Sequence, residues 1–519
     1  MCYRAGPVRD PPPKMRKLLV VALTLSALMV PAGAARAADS FTFFGSGWGH
    51  GLGLSQWGAY GLSLDGWASG KILRHFYSHT RLEQLDSPPR RLRIGLTQSR
   101  SKVRLSAQSG PVDLLLGGPR GETVATIPRG ETWLVKVVEG GYTVIDETGA
   151  RVARGVGGTR THLFAVYQPN DARVHIPEAL HTYNRGWIEF NIYRCASNCR
   201  LRLILSIAPQ EYLYGLAEVP SSWPKPALQA QSVAARTYAF RRVQTSGQHR
   251  AGCNCALFAS SYDQVYAGWD KEGGPDGDRW VAAVNATDGR VITHRGDLIQ
   301  AFYTSSSGGF TENNENVWGG TPIAYLRGVC DPGDYTAANP NAVWKTTISA
   351  EAVTARLGLG IGRVTGFKGI DRGVSGRIVT MTVVGRRGSA SISGGQLRAS
   401  LGLRDDRVWI NANRQVVGSI RQKYDDVGCR PGLPTSKRMS VAGGAVQRFQ
   451  DGQIFSKDAT GAHLLRGPVL RAYLENGGPK GALGYPTTDV RRLSDGSTRA
   501  RFEHGAITCS SSGCRVSTG

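Results

Sequence analysis

Glycine is frequent in this sequence and follows no three-residue period: it occupies 67 of the 519 positions. Collagen needs glycine at every third residue, so the missing period excludes a collagen-like helix. Because glycine adopts backbone conformations that other residues avoid, its abundance favours strands, bulges and tight turns. Hydrophobic residues make up 41% of the chain and charged residues 20%, which excludes a mainly disordered protein. At this length we expect about two to four domains.

The N-terminus holds an apolar run, Leu18–Val30, between three basic residues and an Ala-Arg-Ala sequence. The run has 13 residues, whereas a helix needs about 20 to cross a bilayer. A basic start, a short apolar middle and small residues at the end are typical of a secretory signal peptide. We therefore predict a signal peptide over residues 1–37 and a secreted protein, with an N-terminal membrane anchor as the alternative.

The chain carries a formal net charge of +24, and removal of the signal peptide, with its six basic residues and one acidic residue, leaves +19. In an exported protein this excess indicates anionic surroundings, such as a wall polymer or a phospholipid surface. We expect no nucleic acid partner. The basic residues are scattered rather than clustered, so a generally cationic surface is an equally good interpretation.

Eight cysteines remain beyond the signal peptide, and an even number in an oxidising compartment favours disulfide bonds. Short spacing makes Cys195–Cys199 and Cys509–Cys514 the easiest local pairs. Cys330–Cys429 then follows by elimination. We expect these three bonds, although many other pairings of eight cysteines are possible.

Short alternating apolar segments over residues 90–205 predict strands joined by glycine-rich turns. The clearest helix is predicted over 220–244, with Ser221 and Ser222 as candidate caps and an alanine-rich apolar stripe. Strands and turns follow to about residue 410. The fold class expected from this order is α+β with mixed sheets.

The C-terminal part of the sequence repeats itself. Gly432-Leu-Pro-Thr matches Gly484-Tyr-Pro-Thr, and Gln447-Arg-Phe matches Ala500-Arg-Phe, with periods of 52 and 53 residues. Two copies of this size predict a small module, residues 431–516, whose halves stack to bury one core. A polar linker is predicted over 413–430.

Three clusters contain residues suited to chemistry. In the first, residues 45–59, glycines at alternating positions let a backbone or a ligand approach closely. No Gly-Lys-Ser/Thr follows, which argues against a phosphate loop. His50 is a candidate catalytic group here, and a buried imidazole bonded to backbone is the alternative.

The second cluster, residues 209–220, holds Glu218 between apolar neighbours. A carboxyl group in such surroundings is held protonated near neutrality and suits general acid catalysis. Glu211 is the competing carboxylate, with a helix start or the surface as its expected place. On the following helix, Arg236 lies on the same face as Gln229 and Ser232, where it would either clamp a substrate or form an ordinary ion pair.

The third cluster, residues 301–312, places hydroxyl groups beside a Gly-Gly turn, a combination that suits polyhydroxylated ligands. A serine nucleophile is the alternative, but the sequence has no G-x-S-x-G elbow and places no histidine or aspartate to activate a serine.

Together the three clusters resemble the stage II sporulation protein D (SpoIID/LytB) family. The segments that carry the resemblance are Gly-Trp-Gly-His-Gly-Leu-Gly-Leu-Ser-Gln-Trp-Gly-Ala, Glu-Tyr-Leu-Tyr-Gly-Leu-Ala-Glu-Val-Pro, Ala-Leu-Gln-Ala-Gln-Ser-Val-Ala-Ala-Arg-Thr-Tyr, Asp-Gln-Val-Tyr-Ala-Gly and Tyr-Thr-Ser-Ser-Ser-Gly-Gly-Phe-Thr-Glu. The resemblance implies a domain over residues 41–412, with a strand-rich part at 90–205 and a catalytic part at 206–412. Its Gly-Trp-Gly-His-Gly segment, 43–77, opens the domain here and closes it in the sporulation proteins, which indicates a circular permutation.

The resemblance also implies a lytic transglycosylase that acts on peptidoglycan glycan strands, best on strands without stem peptides. Glu218 corresponds to the catalytic residue of the family. The substrate-binding residues that we predict are Arg236, Tyr303, Ser306, Ser307, Gly308, Gly309, His50 and Gln56. A hydrolase and a non-catalytic modulator that stimulates a wall amidase remain as alternatives.

Some members of the family bind zinc near the segment that corresponds to His249, Cys253 and Cys255. Cys-x-Cys spacing, a single nearby histidine and export favour a disulfide here, so we predict neither a metal nor a cofactor. The tail resembles LGFP repeats, with Leu-Gly-Tyr-Pro-Thr as the better copy. This second resemblance implies attachment to the cell wall, through a wall polysaccharide.

Overall fold

A computed structural model of the protein describes residues 40–167, 172–193, 195 and 198–519. The predicted signal peptide lies outside the described residues. Within the described part of the chain, no helix is both long enough and apolar enough to cross a membrane.

The first elements form a short strand–helix unit. Its elements are β1 (Ser40–Gly45), β2 (Leu54–Ser55), α1 (Gln56–Leu64), α2 (Ser69–Phe76) and β3 (Arg81–Gln84). Helix α1 begins at Gln56 because the Ser55 hydroxyl accepts a hydrogen bond from the Gly58 N–H, which satisfies a free donor of the first turn.

A strand-rich region follows and contains twelve strands. They are β4 (Leu92–Arg100), β5 (Lys102–Ala107), β6 (Val112–Leu116), β7 (Glu122–Ile127), β8 (Thr132–Val138), β9 (Gly141–Ile145), β10 (Arg151–Val156), β11 (Leu163–Val166), β12 (Val174–Ile176), β13 (His181–Tyr183), β14 (Trp187–Tyr193) and β15 (Arg200–Ile207). Together with β16 (Leu257–Phe258) they form a seven-stranded sheet, β16-β4-β15-β14-β11-β6-β7, and a six-stranded sheet, β10-β9-β8-β5-β12-β13. Both sheets contribute to one hydrophobic core, with Ile94 and Leu205 from the first and Leu105 and Val135 from the second.

Most of the helices that build the site follow β15. They and the short strands among them are α3 (Pro209–Tyr214), α4 (Lys225–Ser246), α5 (Trp269–Glu272), α6 (Gly277–Asn285), β17 (Arg290–His294), β18 (Asp297–Leu298), β19 (Tyr303–Thr304) and α7 (Asn314–Trp318). Helix α4 begins at Lys225 and not at Pro220, and Pro224 is its N-cap without a side-chain hydrogen bond. The predicted caps Ser221 and Ser222 are therefore wrong, because a residue that precedes proline disfavours helical backbone and delays the start of the helix.

A second, smaller core lies among the next elements: β20 (Trp344–Ser349), α8 (Ala350–Leu357), β21 (Val364–Arg372), β22 (Ile378–Gly385), β23 (Gly388–Ser393), α9 (Gly394–Leu401) and β24 (Val408–Ile410). Strand β1 pairs antiparallel with both β20 and β24 and thus occupies the middle of a three-stranded sheet. The start of the described chain is in this way fixed to the end of the predicted catalytic part.

The C-terminal region repeats one unit, a helix followed by a four-stranded antiparallel sheet. The first unit contains α10 (Gly418–Asp426), β25 (Met439–Val441), β26 (Gly444–Phe449), β27 (Gly452–Lys457) and β28 (Gly461–Leu465); the second contains α11 (Gly467–Glu475), β29 (Arg491–Arg492), β30 (Thr498–Phe502), β31 (Gly505–Ser510) and β32 (Gly513–Thr518). Helix α10 lies in the stretch predicted as a linker, and it buries Ile420 and Tyr424 in one core with Ile454 and Leu464 of the first sheet. The first repeat therefore includes part of that linker.

Four disulfide bonds join the eight described cysteines: Cys195–Cys199, Cys253–Cys255, Cys330–Cys429 and Cys509–Cys514. The three predicted pairs are confirmed, as is the α+β class with mixed sheets. The Cys253–Cys255 bond uses both sulfur atoms that a zinc ion would need, and the His249 ring bonds to the Asn254 side chain. This segment does not offer a zinc site in its oxidised form.

Candidate active site

A groove with a volume of about 560 Å³ opens between the Gly-Trp-Gly-His-Gly segment and the segments around residues 218, 262 and 303. It is lined by Trp48, Gly49, His50, Gln56, Glu218, Tyr238, Ser261, Tyr262, Asp263, Phe302, Tyr303, Thr304, Ser305, Trp318 and Arg398. Residues from all three predicted clusters thus meet in one place.

Backbone pairing brings the first and third clusters together. Strand β2 pairs in parallel with β19, so that Leu54 lies opposite Tyr303, and Trp48 forms a backbone bridge with Ser306. Gly49 adopts a φ of +133°, and a Cβ atom there would lie 1.8 Å from the Thr304 hydroxyl oxygen. Close approach of the two segments therefore requires glycine at this position.

Glu218 is held by a short ladder between its own loop and the loop that precedes α5. The Ala217 N–H donates to the Val265 carbonyl over 2.9 Å. In return, the Val265 N–H donates to Glu218 Oε1 over 2.6 Å, and the Tyr303 hydroxyl donates to the same oxygen over 3.0 Å. The carboxyl group is thus fixed from two sides and faces the groove.

The pKa of Glu218 is raised to about 6, because burial disfavours the charged carboxylate. Hydrogen bonds from Val265, Tyr303 and Gln56 oppose this effect, since they stabilise the charged form. A carboxyl group with a pKa near the ambient pH can both give and take a proton, which is what acid–base catalysis needs.

A buried glutamine orients the Tyr303 hydroxyl group toward Glu218. Gln264 Nε2 donates to the Tyr303 hydroxyl oxygen over 3.0 Å and to the Ala235 carbonyl over 3.1 Å, while its own oxygen accepts from the Tyr212 hydroxyl. The Tyr303 oxygen is therefore an acceptor toward Gln264, and its proton points to Glu218 Oε1. Oε1 already accepts hydrogen bonds from Val265 and Tyr303, which favours Oε2 as the oxygen that carries the acidic proton.

His50 lines the groove as a neutral ring. Its Nδ1 accepts a hydrogen bond from the Leu52 N–H over 3.0 Å, so the ring proton lies on Nε2, and that side interacts with the Tyr303 backbone. Burial and the nearby arginines lower its pKa to about 3. The ring also contacts Trp318 with centroids 5.0 Å apart. This arrangement fits the backbone-bonded imidazole and not a proton donor at neutral pH.

Three aromatic side chains line the groove and remain exposed: Trp48 is 50% exposed, Trp318 55% and Tyr262 70%. A single exposed hydrophobic side chain is ordinary, but several exposed rings gathered around one groove are typical of a ligand-binding or interaction site. Flat aromatic faces beside hydroxyl and amide groups are typical of sites that bind rings carrying both apolar faces and polar edges.

The other carboxylate in the lining is fully engaged. Asp263 accepts hydrogen bonds from the Tyr238 hydroxyl, the Phe258 N–H and the Arg250 guanidinium, and Arg242 adds an ion pair at 3.3 Å. Three hydrogen bonds and one ion pair thus already engage the Asp263 carboxylate within the protein. Glu218 is thus the available carboxyl group among the groove-lining residues that the structure describes.

The structure does not bring Arg236 to the groove. The side chain is 2% exposed, and it donates to the Arg290 and Val284 carbonyls and to the Gln210 side chain. The predicted substrate contact is corrected by this placement: the guanidinium group holds α4 against α6 and β17, because the buried carbonyls there need donors. Among the residues that the structure describes, Arg236 has no ion-pair partner and is not part of the groove lining.

Ser306, Ser307, Gly308 and Gly309 lie behind the groove and not in its wall, which corrects their predicted contact with substrate. The Ser306 hydroxyl donates to Asp334 and the Ser307 hydroxyl donates to Asp331. These two serines and two aspartates are buried. Both glycines have positive φ, so the segment turns inward at this point. Thr304 and Ser305 line the groove in their place.

Gln56 and Tyr303 line the groove, and their contact with substrate stays a prediction. Sequence reasoning did not single out Tyr262, Trp318, Asp263 and Gln264 as site residues. The Asp-Gln-Val-Tyr-Ala-Gly motif contained two of them, but residue type alone gave no sign that Gln264 would be buried beside Tyr303. Glu211, the rival carboxylate, lies in the first turn of α3 and pairs with Arg185 at 3.3 Å.

Fold and site together define a class: mixed α+β proteins whose groove holds one acid of raised pKa under exposed aromatic rings. Residues 197–294 match the model of the SpoIID family, described as stage II sporulation protein, and residues 432–481 match that of the LGFP repeat. The two resemblances predicted from the motifs are thereby confirmed. Both matches indicate a cell-wall-related function.

Among curated proteins, the chain is 32% identical over 139 residues to the amidase enhancer of Bacillus subtilis, which covers 27% of this chain and 17% of that protein. It is 26% identical over 233 residues to stage II sporulation protein D of Bacillus amyloliquefaciens, covering 43% and 64% of the two chains. The same protein of Bacillus subtilis is 27% identical over 231 residues, covering 42% and 63%. The chain spans less than two thirds of the length of each of these relatives.

Proposed function

We propose that this protein is a secreted, wall-associated lytic transglycosylase that cleaves the MurNAc–GlcNAc bond of peptidoglycan glycan strands. The observation that carries this proposal is a single available carboxyl group, Glu218, with a pKa of about 6, in a groove walled by exposed aromatic rings. The match to the SpoIID family supports the choice of wall glycan as substrate.

Glu218 acts first as the acid. Its Oε2 proton moves to the glycosidic oxygen as the bond from that oxygen to C1 of MurNAc breaks, and the GlcNAc side leaves as an alcohol. The carboxylate then takes the proton of the MurNAc C6 hydroxyl, whose oxygen bonds to C1 and closes a 1,6-anhydro ring. No water is consumed, and Glu218 ends protonated as it began.

This scheme needs one carboxyl group because the nucleophile belongs to the substrate. Hydrolysis of a glycoside ordinarily uses two, spaced to hold either a covalent intermediate or a water molecule. Asp263 is engaged by three hydrogen bonds and an ion pair, so it is a poor candidate for the second. Placing the C6 hydroxyl beside C1 supplies rate through proximity, which suits a groove that holds the sugar rings against Trp48 and Trp318.

The test is mass spectrometry of the soluble products after the mature chain is incubated with denuded glycan strands. We expect products with 1,6-anhydro ends, and Glu218→Gln should lower their rate of release about a hundred- to ten-thousandfold. Glu211→Gln, which removes a carboxylate from the neighbouring helix α3, is the matched control and should stay close to wild type. Reducing ends in place of anhydro ends would indicate a hydrolase and contradict the proposal.

A second candidate function follows from the similarity to the amidase enhancer, whose name links that relative to an amidase. In this function the groove grips glycan without cleaving it, and the protein stimulates a wall amidase. The outcome that would favour it is a chain that sediments with glycan, releases no product and raises the rate of an added wall amidase equally well as wild type and as Glu218→Gln.

The LGFP repeats support a cell-wall location, because a repeat module of this kind implies attachment. We propose that the module holds the enzyme on a wall polysaccharide while the groove acts on glycan. Fractionation of cells that express the chain with and without residues 467–519 tests this: loss of the second repeat should lower the share of the protein that is bound to the wall.

A further inference from the structure

The two repeats have the same architecture, but their sheets differ on one face. In the first sheet, four residues lie side by side across the strands in register: Met439, Val446, Phe455 and His463. Val446 and Phe455 are buried there in the core shared with the second repeat, and Phe455 packs edge-on against Tyr473 of α11 with ring centroids 5.3 Å apart. This row is the surface on which the second repeat sits.

The equivalent row of the second sheet is cationic. Arg491 pairs with Arg499, Arg499 with Thr508, and Thr508 with Arg515. The opposite face of the same strands carries Ala500, Phe502 and Ile507, which are buried against α11. Three arginines thus occupy positions where the first repeat has Met439, Val446 and His463. We call Arg491, Arg499, Thr508 and Arg515 the arginine row.

The arginine row is open to solvent and its charge is uncompensated. Arg491 and Arg515 are exposed, Arg499 is half-buried, and the neighbouring Arg501 on the same face is exposed. Among the residues that the structure describes, none of these four guanidinium groups forms an ion pair, and Arg499 Nε is buried without a partner. The nearest acidic residue of the hairpin, Asp495, is bonded to Ser497.

A polar face alone would keep a repeat array soluble, and any mixture of charges would serve that purpose. Here the charges have one sign, and Arg491 lies directly opposite Arg499, an arrangement of like charges that destabilises a sheet. An anion that bridges the arginines removes this repulsion. Guanidinium groups bind phosphate and carboxylate oxygens in pairs, with a fixed geometry.

We propose that the arginine row, with Arg501, is a binding surface for a linear phosphodiester-linked polymer. This inference rests on the wall location proposed above and adds the chemistry of the ligand. Neighbouring strands lie about 5 Å apart, so the row is a strip of about 14 Å along which successive phosphates of one chain can be held. Charge complementarity selects the polymer: a neutral glycan offers nothing to four free guanidinium groups.

The test measures binding of the mature chain to synthetic poly(glycerol phosphate) by isothermal titration calorimetry. Replacing Arg491, Arg499, Arg501 and Arg515 together by glutamine should weaken binding at least about tenfold. The matched control replaces Arg120, Arg129, Arg151 and Arg154, which are exposed on the strand-rich region, and should change affinity less than about twofold. Equal losses in both variants would overturn the proposal, since the polymer would then sense net charge alone.

A gain-of-function variant provides a second test that does not depend on correct folding of the quadruple variant. Thr508→Lys adds a fourth cation to the row and should tighten binding several-fold; unchanged affinity would count against the surface. Polygalacturonate and phosphatidylglycerol vesicles are the competing probes, and stronger binding of either would overturn the choice of a phosphodiester polymer. No glycan is present in these measurements, so a chain that fails to cleave glycan can still bind the polymer, and the two proposals fail separately.

Discussion

At the scale of single residues, hydrogen bonds in the wall of the groove determine which oxygen of Glu218 accepts from its neighbours. Gln264 is buried and uses both of its groups, which gives the Tyr303 hydroxyl one direction in which to donate. That direction is Glu218 Oε1, so the reactive proton stays on the other oxygen. In the proposed mechanism Gln264 is therefore a positioning residue that acts through Tyr303.

Removal of the Tyr303 hydroxyl should move the pH dependence of glycan cleavage. The hydroxyl donates to Glu218 and so stabilises the carboxylate, and in Tyr303→Phe the pKa of Glu218 should rise above about 6. In the proposed mechanism cleavage requires protonated Glu218, so the rate of cleavage should fall as the pH rises through this pKa. The descending limb of the pH profile should lie at higher pH in Tyr303→Phe, and a limb that stays in place contradicts the role of the hydroxyl.

Gln264→Leu should displace the same limb to higher pH, because Tyr303 loses the donor that orients it. Gln264→Glu, which keeps the shape of the side chain, serves as the comparison: its carboxylate can still accept from Tyr212 but cannot donate as the amide does. A merely structural residue would lower the amount of folded protein without moving the profile. Product release measured from about pH 5 to pH 8 separates these outcomes.

Two buried acids behind the groove should make stability depend on pH. Burial, with Asp334 beside it, raises the pKa of Asp331 to about 8. An unfolded aspartate titrates near pH 4, so between about pH 4 and pH 8 the native state holds a proton that the unfolded state has lost. This contribution to stability is complete below about pH 4 and is lost as the pH rises toward 8.

Asp331→Asn should therefore weaken the decline in the free energy of unfolding between pH 5 and pH 8, because asparagine keeps a neutral side chain at every pH. Urea unfolding at several pH values measures the slope. Asp458→Asn, an exposed position, is the control and should leave the slope unchanged. An identical slope for Asp331→Asn and wild type would show that Asp331 is not protonated in the native state.

At the scale of elements, helix α10 links the repeats to the part of the chain that holds the groove. Its Arg421 side chain is 4% exposed and approaches the Asp331 carbonyl, and a Cβ atom on Gly309 would meet its guanidinium nitrogens. Cys429, just beyond the helix, is bonded to Cys330. The turn of Ser306–Gly309 is thus held in place by an element of the first repeat.

The Cys330–Cys429 bond should contribute much of the stability of this junction, since it closes a loop of 99 residues. Replacing both cysteines by serine should cost about 2–5 kcal/mol of unfolding free energy. The Cys509–Cys514 bond closes a loop of only 5 residues and is the matched control, with a smaller expected loss. Thermal unfolding of the two double variants shows which of them loses more stability. A larger loss of stability from the short loop would contradict the argument from loop length.

Elements with strong local patterns could be predicted from the sequence, and those defined by distant partners could not. Alternating apolar residues predict the strands of 90–205, and the repeat period of the sequence predicts the two matching halves of the tail. Helix α10 was missed because its sequence, Gly-Ser-Ile-Arg-Gln-Lys-Tyr-Asp-Asp, is polar and buries few side chains. Arg236 was misplaced for a similar reason: a polar face on a helix indicates a partner but not whether that partner is substrate or backbone.

At the scale of the whole molecule, the catalytic part and the repeats are expected to stabilise one another. A chain ended at residue 412 loses α10, the disulfide partner of Cys330 and the cover of Phe310, which packs against the α10 core. We expect this truncated chain to unfold at a lower temperature and to be cleaved faster by protease than the mature chain.

A chain ended at residue 466 is the informative comparison, because it keeps α10 and the first sheet and uncovers only Val446, Phe455 and their neighbours. It should lose solubility while retaining the stability of the groove. Equal thermal stability of the chain ended at 412 and the mature chain would show that the repeats are an independent attachment.

The way in which the helix of each repeat stacks on a sheet affects the distance between the groove and the end of the repeat module. In the first repeat, α10 covers one face of its sheet, and the second repeat covers the other through α11. A further copy of the first repeat, placed between the two, would meet the same kind of surface on both sides, so copies can be added without change to the groove or to the arginine row. The number of copies would then set the distance between the groove and the point at which the protein is attached.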